Sequence, residues 1–536
     1  MARTMKRKLS LGVQEFTKIR KNDYVYVDKT ALIYQLATEG ESYFLSRPRR
    51  FGKSLLISTM EAYFSGREEL FEGLAIHDLE QAAPADSSGE AWVKGPVIHL
   101  DFSTGDWSGV EEMRETLREK LWAYEKIWGA DPEIQILPLR FYHLIETMHQ
   151  ATGIRVAVLI DEYDKPLLQY MYDEKRTEAL RTELKSFLTV LKSAGAHTKF
   201  VFITGVTKFS HVSIFSDLNQ LRDISMDPQF NTICGMTKSE MEDSYQAELA
   251  AFAAEEEKDP EQLLRELAAQ YDGYLFSRRG ERLFNPYSLL SALQQKRFAN
   301  YWFDSATPTF LVQTVQQSGF EIPKFGDGIR ALEEEFMSYR ADPGHPLPLL
   351  YQSGYLTIRQ YDPQFRLYTL GFPNNEVKYS FLNCLLPFCT NIPEGETGLS
   401  IAGFVSSIEE GDVDAFMQRL KSLLASVKYD DSRGADKALR YEYTWHTALY
   451  LIFTLCGQYF RSEVHMAGGR SDGIMEMADL VYIFEFKMAP ASAADALAQI
   501  EKNQYAAPYA ASGKRIVRIG VVFDAQTRGI SDYAYE

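Results

Sequence analysis

Apolar positions along the chain follow two rhythms. Over roughly the first two hundred residues, short unbroken apolar runs alternate with longer stretches of helical spacing. Runs at 42–46, 97–102, 156–160 and 199–204 predict strands. The run at 156–160 (Val-Ala-Val-Leu-Ile) has no polar face, as expected of a strand covered on both sides. Between the runs, 53–64, 113–128 and 182–193 predict helices. This alternation predicts a parallel sheet in an α/β layer fold.

From about residue 237 helices take over. Residues 239–257 and 259–271 predict one helix each, the second with Asp259 as its cap and Pro260 at its first position. Glu255-Glu256-Glu257 predicts a solvated helix face. Helical spacing continues to about residue 337, and Pro343, Pro346 and Pro348 then punctuate the chain. Residues 349–358 predict a helix end followed by a strand, with 367–370 as its pairing partner. The best linker candidate is 391–398 (NIPEGETG). Two helices, strands, a further helix and a final strand are expected after it.

Composition narrows the classes. The 536 residues are 45% apolar and 24% charged, enough to bury large cores without staples and to form several domains. The net charge of −17 excludes a bulk non-specific nucleic-acid coat, so any nucleic-acid contact must use a local basic groove. Cys234, Cys384, Cys389 and Cys456 form no CxxC pair and no zinc spacing, and are expected as reduced thiols of a cytoplasmic protein. The first ten residues are basic without an apolar segment behind them, so no signal peptide is expected. No apolar run is long enough to predict a membrane span.

The segment Arg47-Pro48-Arg49-Arg50-Phe51-Gly52-Lys53-Ser54 lies between the first strand and the helix at 53–64. Gly52, Lys53 and Ser54 stand in P-loop order: the glycine admits phosphate to the backbone, the helix start offers free N–H groups, Lys53 reaches the β- and γ-phosphates, and Ser54 ligates Mg²⁺. Arg47 occupies the place of the motif's first glycine, and Pro48 has no N–H to give. The buried run at 156–160 ends in Asp161-Glu162, where Asp161 would hold Mg²⁺ and Glu162 would orient the attacking water. Thr204 or Thr207 would sense the γ-phosphate, although buried strand-end threonines are as often structural. Arg49 and Arg50 have two readings, nucleotide or subunit contact and surface ion pair.

A second cluster lies near the C-terminus. Asp472 and Glu485 would meet if a strand from 472 turned near Ala478-Asp479 and returned over 481–487. Glu485 and Lys487 then share one face of the return strand, and Phe484 and Phe486 the other. Two carboxylates and a lysine suit metal-assisted phosphodiester hydrolysis, with Mg²⁺ or Mn²⁺. Glu442, on a helix predicted over 441–456, is a further metal-ligand candidate, and His446 on the same face is expected to be structural or substrate-contacting. A helix at 495–505 carries Gln499, and a strand at 516–523 completes an αβββαβ order. Arg433, Lys437, Arg440, Arg470, Lys502, Lys514, Arg515 and Arg518 are candidates for a basic groove, or for an ordinary mixed surface.

These strings, with Tyr26-Val27-Asp28-Lys29-Thr30, Leu159-Ile160-Asp161-Glu162-Tyr163-Asp164-Lys165-Pro166, Ile203-Thr204-Gly205-Val206-Thr207-Lys208-Phe209, Tyr271-Asp272-Gly273-Tyr274, Asn285-Pro286-Tyr287-Ser288, Gln352-Ser353-Gly354-Tyr355-Leu356-Thr357, Gly469-Arg470-Ser471-Asp472 and Glu485-Phe486-Lys487, carry a resemblance over nearly the whole chain. It resembles the bacterial AAA-ATPase-like proteins fused to a C-terminal PD-(D/E)xK nuclease superfamily domain. The family loop also reads Arg-Pro-Arg-Arg-Phe-Gly-Lys-Ser. The resemblance implies three parts: a P-loop ATPase domain with a parallel sheet over 1–235, a helical and winged-helix region over 236–390 with the winged element at 349–378, and an αβββαβ restriction-endonuclease-like domain over 399–536. It implies ATP at Arg50, Phe51, Gly52, Lys53, Ser54, Leu55 and Thr204, with Mg²⁺ at Ser54 and Asp161 and catalysis through Glu162. It also implies a nuclease centre at Asp472, Glu485 and Lys487, with Glu442 completing the ligands. The expected function is an ATP-gated, metal-dependent nuclease acting on DNA; the alternative is a signalling ATPase whose nuclease-like domain only binds nucleic acid or a partner. Oligomeric state and a protein trigger are left open.

Overall fold

In the computed structural model the described residues are 8–536, leaving aside 83–91, 93–94, 130, 132, 172, 210–219, 307–310, 312–313, 316–317, 319–321, 323, 338–344, 391, 426–436, 468–469, 525 and 528. The side chains of 304–306, 324, 327, 388, 394, 437–445, 462–467 and 470–472 also lie outside the description. The chain forms two compact units, residues 1–314 with 328–376, and residues 315–327 with 377–536. The segment 391–398 therefore lies within the second unit.

The run without a polar face becomes the middle of a sheet. Strands β1 (Ser42–Ser46), β2 (Val97–Asp101), β3 (Val156–Asp161), β4 (Thr198–Gly205) and β5 (Arg222–Asp223) are all parallel, in the order β2-β3-β4-β1-β5. Every residue of β3 is buried. Because β4 sits between β1 and β3, the C-terminal ends of these three strands are neighbours, which is where an open parallel sheet binds ligands. Helix Lys53–Phe64 follows β1 and packs against β2 and β3. Helix Leu137–Thr152 was not anticipated, although Leu137, Phe141, Leu144, Ile145 and Met148 give it one buried face.

The first unit continues in helices Lys238–Ser244, Gln246–Glu255, Pro260–Tyr271 and Pro286–Gln295, packed around Met241, Tyr245, Phe252, Leu263, Leu267, Tyr271 and Leu289. The single helix expected over 239–257 is two helices. The backbone leaves helical geometry at Tyr245 (φ −125°), whose ring is buried in that core. Asp259 caps the next helix as expected, accepting from the N–H groups of Glu261 and Gln262. Glu255 and Glu257 face solvent, and Glu256 pairs with Lys258 at 2.9 Å. Further on, helix Leu347–Gln352 precedes an antiparallel sheet of β6 (Ile329–Ala331), β7 (Thr357–Asp362) and β8 (Leu367–Gly371), in the order β6-β8-β7. This is the helix-then-hairpin arrangement expected at 349–370.

The second unit holds helices Thr397–Glu409, Val413–Ala425 and Lys437–Cys456, then β9 (Arg461–Ala467), β10 (Arg470–Glu476), β11 (Leu480–Met488), helix Ala493–Lys502, β12 (Arg515–Asp524) and β13 (Gly529–Tyr535). The sheet order is β13-β12-β11-β10-β9, parallel only between β11 and β12. The expected αβββαβ order is present, with β13 added at the edge. β13 buries only Ile530, so it lacks the alternation that announces a strand. Glycine at 473 on β10 has a physical cause: a Cβ there would stand 2.5 Å from the Phe453 ring.

Candidate functional sites

Between β1 and its helix, the turn is built by two left-handed residues, Arg50 (φ +66°) and Gly52 (φ +94°). Gly52 occupies the N-cap of helix Lys53–Phe64, and no atom lies within 4 Å of where its Cβ would be. Glycine is needed there for its backbone angle, with the free N–H groups of the helix start beside it. The buried Lys53 ammonium donates to the carbonyls of Arg47 (2.9 Å) and Pro48 (3.0 Å). Arg47, in the place of a glycine, is only 1% exposed. Its guanidinium donates to the carbonyls of Ser46 (2.9 Å), Ser225 (2.8 Å) and Phe230 (3.2 Å) and lies 4.3 Å from the Phe276 ring centre. Burial pulls its pKa below the usual arginine value. Arg47 is thus a strut, tying the loop to the segment after β5.

Other supports come from farther along the chain. The Gly235 N–H donates to the Phe51 carbonyl (3.1 Å) and the Trp302 indole to the Arg49 carbonyl (3.1 Å). Phe51 meets Tyr274 and Phe276 edge-on at 4.8 and 5.3 Å. Gly354 leaves room for Pro48, which a Cβ would approach to 2.7 Å.

At the ends of β3 and β4, Asp161 is buried and hydrogen-bonded to the Ser54 hydroxyl. Burial pushes its carboxyl above the ordinary range, against the pull of Ser54 and Lys53. Glu162 follows in a left-handed conformation (φ +51°) and lines the cavity beside the loop. Both expected threonines are fully buried, but they differ. The Thr207 hydroxyl donates to Asp164 at 2.7 Å, whereas the Thr204 hydroxyl has no partner among the described residues. Asp164, which sequence reasoning gave no role, also accepts from the N–H groups of Val206 (3.0 Å) and Thr207 (2.6 Å), fixing the turn after β4. Burial raises its pKa, and the Thr207 bonds pull it back. Its only sequence signal was its place in the string Asp161-Glu162-Tyr163-Asp164.

The loop opens on a cavity of about 390 Å³. Arg50, Phe51, Gly52, Lys53, Ser54, Leu55 and Glu162 form one wall. Leu11, Val27, Met236, Tyr245, Tyr287 and Leu290 supply an apolar one. No sequence pattern pointed to residues 10–14 as part of this wall. The Arg50 guanidinium lies 4.8 Å from the centre of the Tyr287 ring. A polar, cationic floor and an apolar wall suit a nucleotide, phosphates at one end and base at the other. The Ser54 hydroxyl and Asp161 carboxylate are hard oxygen donors that fit Mg²⁺.

In the second unit, the β10–β11 register sets Asp472 directly opposite Glu485. Glu485 is fully buried, with the Lys487 ammonium 3.0 Å from its Oε1. Lys487 also donates to the Gln499 side-chain carbonyl, so the accessory glutamine reaches the cluster from helix Ala493–Lys502. On the opposite face, Phe484 and Phe486 pack on Phe453 at 5.1 and 6.1 Å. Glu442 lies in helix Lys437–Cys456, and the side chains of Glu442 and Asp472 are outside the described residues. Among the described residues no group of three His, Cys, Asp or Glu stands at metal-binding distance. The donor set Asp472 and Glu485 is nonetheless hard oxygen chemistry, which suits Mg²⁺ or Mn²⁺. Burial drives the His446 pKa down to about 4, so it is neutral near pH 7.

The basic candidates divide. Lys514 pairs with Glu476 (2.8 Å) and Arg518 with Glu536 (2.9 Å), while Lys502 and Arg515 are exposed. Arg433 and the side chains of Lys437, Arg440 and Arg470 lie outside the described residues. No described helix is long and apolar enough to cross a membrane.

Comparison with known proteins bears on both sites. The family model described as "Predicted AAA-ATPase" matches residues 10–215, and that of the "PD-(D/E)XK nuclease superfamily" matches residues 440–533. An uncharacterized protein encoded in the vnfD 5′ region of Azotobacter chroococcum mcd 1 is 33% identical over 540 residues, covering 99% of each chain. The solved structure of the Aeropyrum pernix ORC1 protein in complex with DNA aligns at 13% identity over 68% of this chain and 96% of that one. Its TM-score of 0.25 is too low for that likeness to carry weight.

Proposed function

This chain belongs to the AAA-ATPase-like proteins that carry a C-terminal PD-(D/E)XK nuclease superfamily domain, and from that premise we propose that it is an ATP-gated, metal-dependent nuclease of the cytoplasm, acting on DNA. The observation that carries the reading is the cross-strand register of Asp472 with Glu485, Lys487 lying 3.0 Å from the latter.

In the first unit, the N–H groups at the start of helix Lys53–Phe64 receive the phosphates, and Lys53 exchanges the carbonyls of Arg47 and Pro48 for phosphate oxygens. Ser54 and Asp161 would hold Mg²⁺, which would supply charge neutralisation. Glu162 orients the attacking water, and the Thr204 hydroxyl answers to the γ-phosphate. Arg50, Phe51 and Leu55 complete the contact with the nucleotide.

In the second unit, Asp472, Glu485 and Glu442 would hold Mg²⁺ or Mn²⁺, which would supply an acidified water and charge to offset the phosphate. Lys487, steadied by Gln499, stabilises the anionic phosphate. The four cysteines are free thiols, in keeping with a cytoplasmic setting.

The test is cleavage of plasmid and single-stranded DNA with Mg²⁺ or Mn²⁺, with and without ATP. Lys487→Ala should abolish cutting and keep ATP binding. Lys53→Ala should remove the ATP dependence. Cutting that survives both Lys487→Ala and Asp472→Ala sinks the nuclease reading.

A further inference from the structure

The acidic balance of the chain makes any uncompensated basic surface informative. On average its arginines have more carboxylates than they can use. Yet in the first unit a group of arginines gathers at the β7–β8 hairpin, none of Arg278, Arg282 and Arg359 forming an ion pair among the described residues. Arg278 donates to the Tyr361 hydroxyl (3.1 Å), and its guanidinium lies 5.2 Å from the centre of that ring. Arg282 donates to the Gly273 carbonyl (3.2 Å) and Arg359 to the Phe372 carbonyl. These hydrogen-bond partners are neutral. Arg282 and Arg359 are close enough that Arg282 helps depress the Arg359 pKa, after burial. Two like charges within electrostatic reach repel each other, and an anion between them would relieve that repulsion.

The backbone contributes as well. The β7–β8 register slips between Ile358 and Gln360, leaving Arg359 as the extra residue of a bulge, a device that re-aims a side chain. At the hairpin tip Phe365 is 58% exposed beside Arg366, which is also exposed. Acids stand near this surface without pairing directly with its arginines: Asp272 lies within electrostatic reach of Arg282, and Glu333 accepts from the Tyr368 hydroxyl at 2.9 Å. Asp362 reaches only Arg330, at 3.9 Å, and Glu281 forms no ion pair among the described residues. A cationic surface with an exposed aromatic ring beside an arginine matches the chemistry of a phosphodiester strand: charge for the backbone, a ring face for a base.

We propose that the β7–β8 hairpin and the adjoining arginine segment 278–282 form a docking surface for single-stranded nucleic acid, separate from the carboxylate–lysine cluster of the second unit. The proposal rests on the reading that the protein acts on nucleic acid, and it assigns recognition to a surface of the ATPase unit. The pairing of guanidinium with phosphate supplies the salt-sensitive part of binding, and Phe365 the preference for unpaired bases.

The test is fluorescence anisotropy of the full-length protein with labelled oligo-dT, oligo-U and duplex DNA, in EDTA so that nothing is cut, over a series of salt concentrations. The double variant Arg278→Glu/Arg366→Glu changes two exposed side chains. It should weaken binding to all three probes at least tenfold and flatten the salt dependence, by about 0.7–0.9 in log–log slope for each phosphate left without its arginine. Phe365→Ala should weaken the single strands and leave the duplex unchanged. The dT and U arms tell DNA from RNA as the source of the phosphodiester. The surface is refuted if the double variant binds as wild type does with the same salt slope, if wild type binds none of the probes, or if polyglutamate competes as well as the oligonucleotides. Parallel cleavage by the same variant keeps the two readings apart. Unchanged binding with cleavage still abolished by Lys487→Ala overturns this surface and leaves the nuclease reading standing.

Discussion

On the proposed function, the phosphate loop of the first unit and the carboxylate strand of the second meet opposite electrostatic demands. The loop has to receive an anion, and it is made of backbone: left-handed Gly52, a helix start, and a lysine parked on two carbonyls. The strand has to receive a cation, and it is made of side chains: a buried carboxylate, its lysine 3.0 Å away, and an acid set opposite by register. A backbone-built site is only as good as whatever holds the backbone, and here the supports come from Ser225, Gly235, Trp302 and Gly354, far along the chain. The side-chain site draws on one hairpin and on the helices just before and after it in sequence. The first should therefore break from a distance and the second only locally.

The largest expected effect is at Arg47. Arg47→Ala orphans three carbonyls and empties a buried site, at a cost of about 3–5 kcal/mol. Denaturant unfolding and ATP binding both report it. A cost under about 1 kcal/mol would show that the loop supports itself and erase the contrast.

A matched pair of glycines comes next. Gly354→Ala drives a Cβ to within 2.7 Å of Pro48 at a left-handed backbone (φ +93°), and Gly473→Ala drives one to within 2.5 Å of Phe453. Each should cost about 1–3 kcal/mol. The first should weaken ATP binding and spare nucleotide-independent cleavage. The second should impair cleavage and spare ATP binding. Both variants losing the same function would contradict the separation. Gly52→Ala is milder, about 1–2 kcal/mol, because its Cβ meets nothing and only the backbone angle resists. A nucleotide titration that shifted less than about threefold would argue against close backbone approach.

The smallest effect lies in two histidines of opposite sign. Burial pulls the His99 pKa down, but the Glu61 carboxylate at 3.0 Å outweighs it and holds the pKa above the ordinary value. Its stabilisation is therefore full below about pH 6.5 and is lost as pH rises through the folded value. His446, lowered to about 4 by burial, is kept neutral. Its contribution is full above about pH 6.5 and is lost as pH falls toward 4. Melting from pH 5 to 8 should show His99→Gln flattening the alkaline side and His446→Gln the acid side. The reverse assignment would refute both pairings.

How legible each site was follows from what it is made of. The strand at 42–46 and the helix at 53–64 were read at their observed ends, because a buried strand and a glycine-started helix both leave periodic signals. The β10–β11 hairpin was read from the spacing of Asp472 and Glu485 alone. Arg47 looked like a defect in a motif, since a strut is defined by carbonyls 178 and 183 residues away that no local pattern encodes. Asp164 was passed over for the same reason: its partners Val206 and Thr207 lie across the sheet. The helix break at Tyr245 escaped because the tertiary core, not local propensity, decides it.

The tight fit of Gly354 on Pro48 has a consequence for how such a protein can be inherited or rearranged. A gene fragment that stops near residue 235 would encode every residue of the phosphate motif and none of Tyr274, Trp302 or Gly354. Such a piece keeps the letters of the motif and loses its shape. On the proposed function, the smallest transferable cassette for nucleotide binding should therefore run past residue 354. Recombination points that leave the activity intact should fall beyond it, and insertions accumulate in the segments that touch neither end of that long bracket.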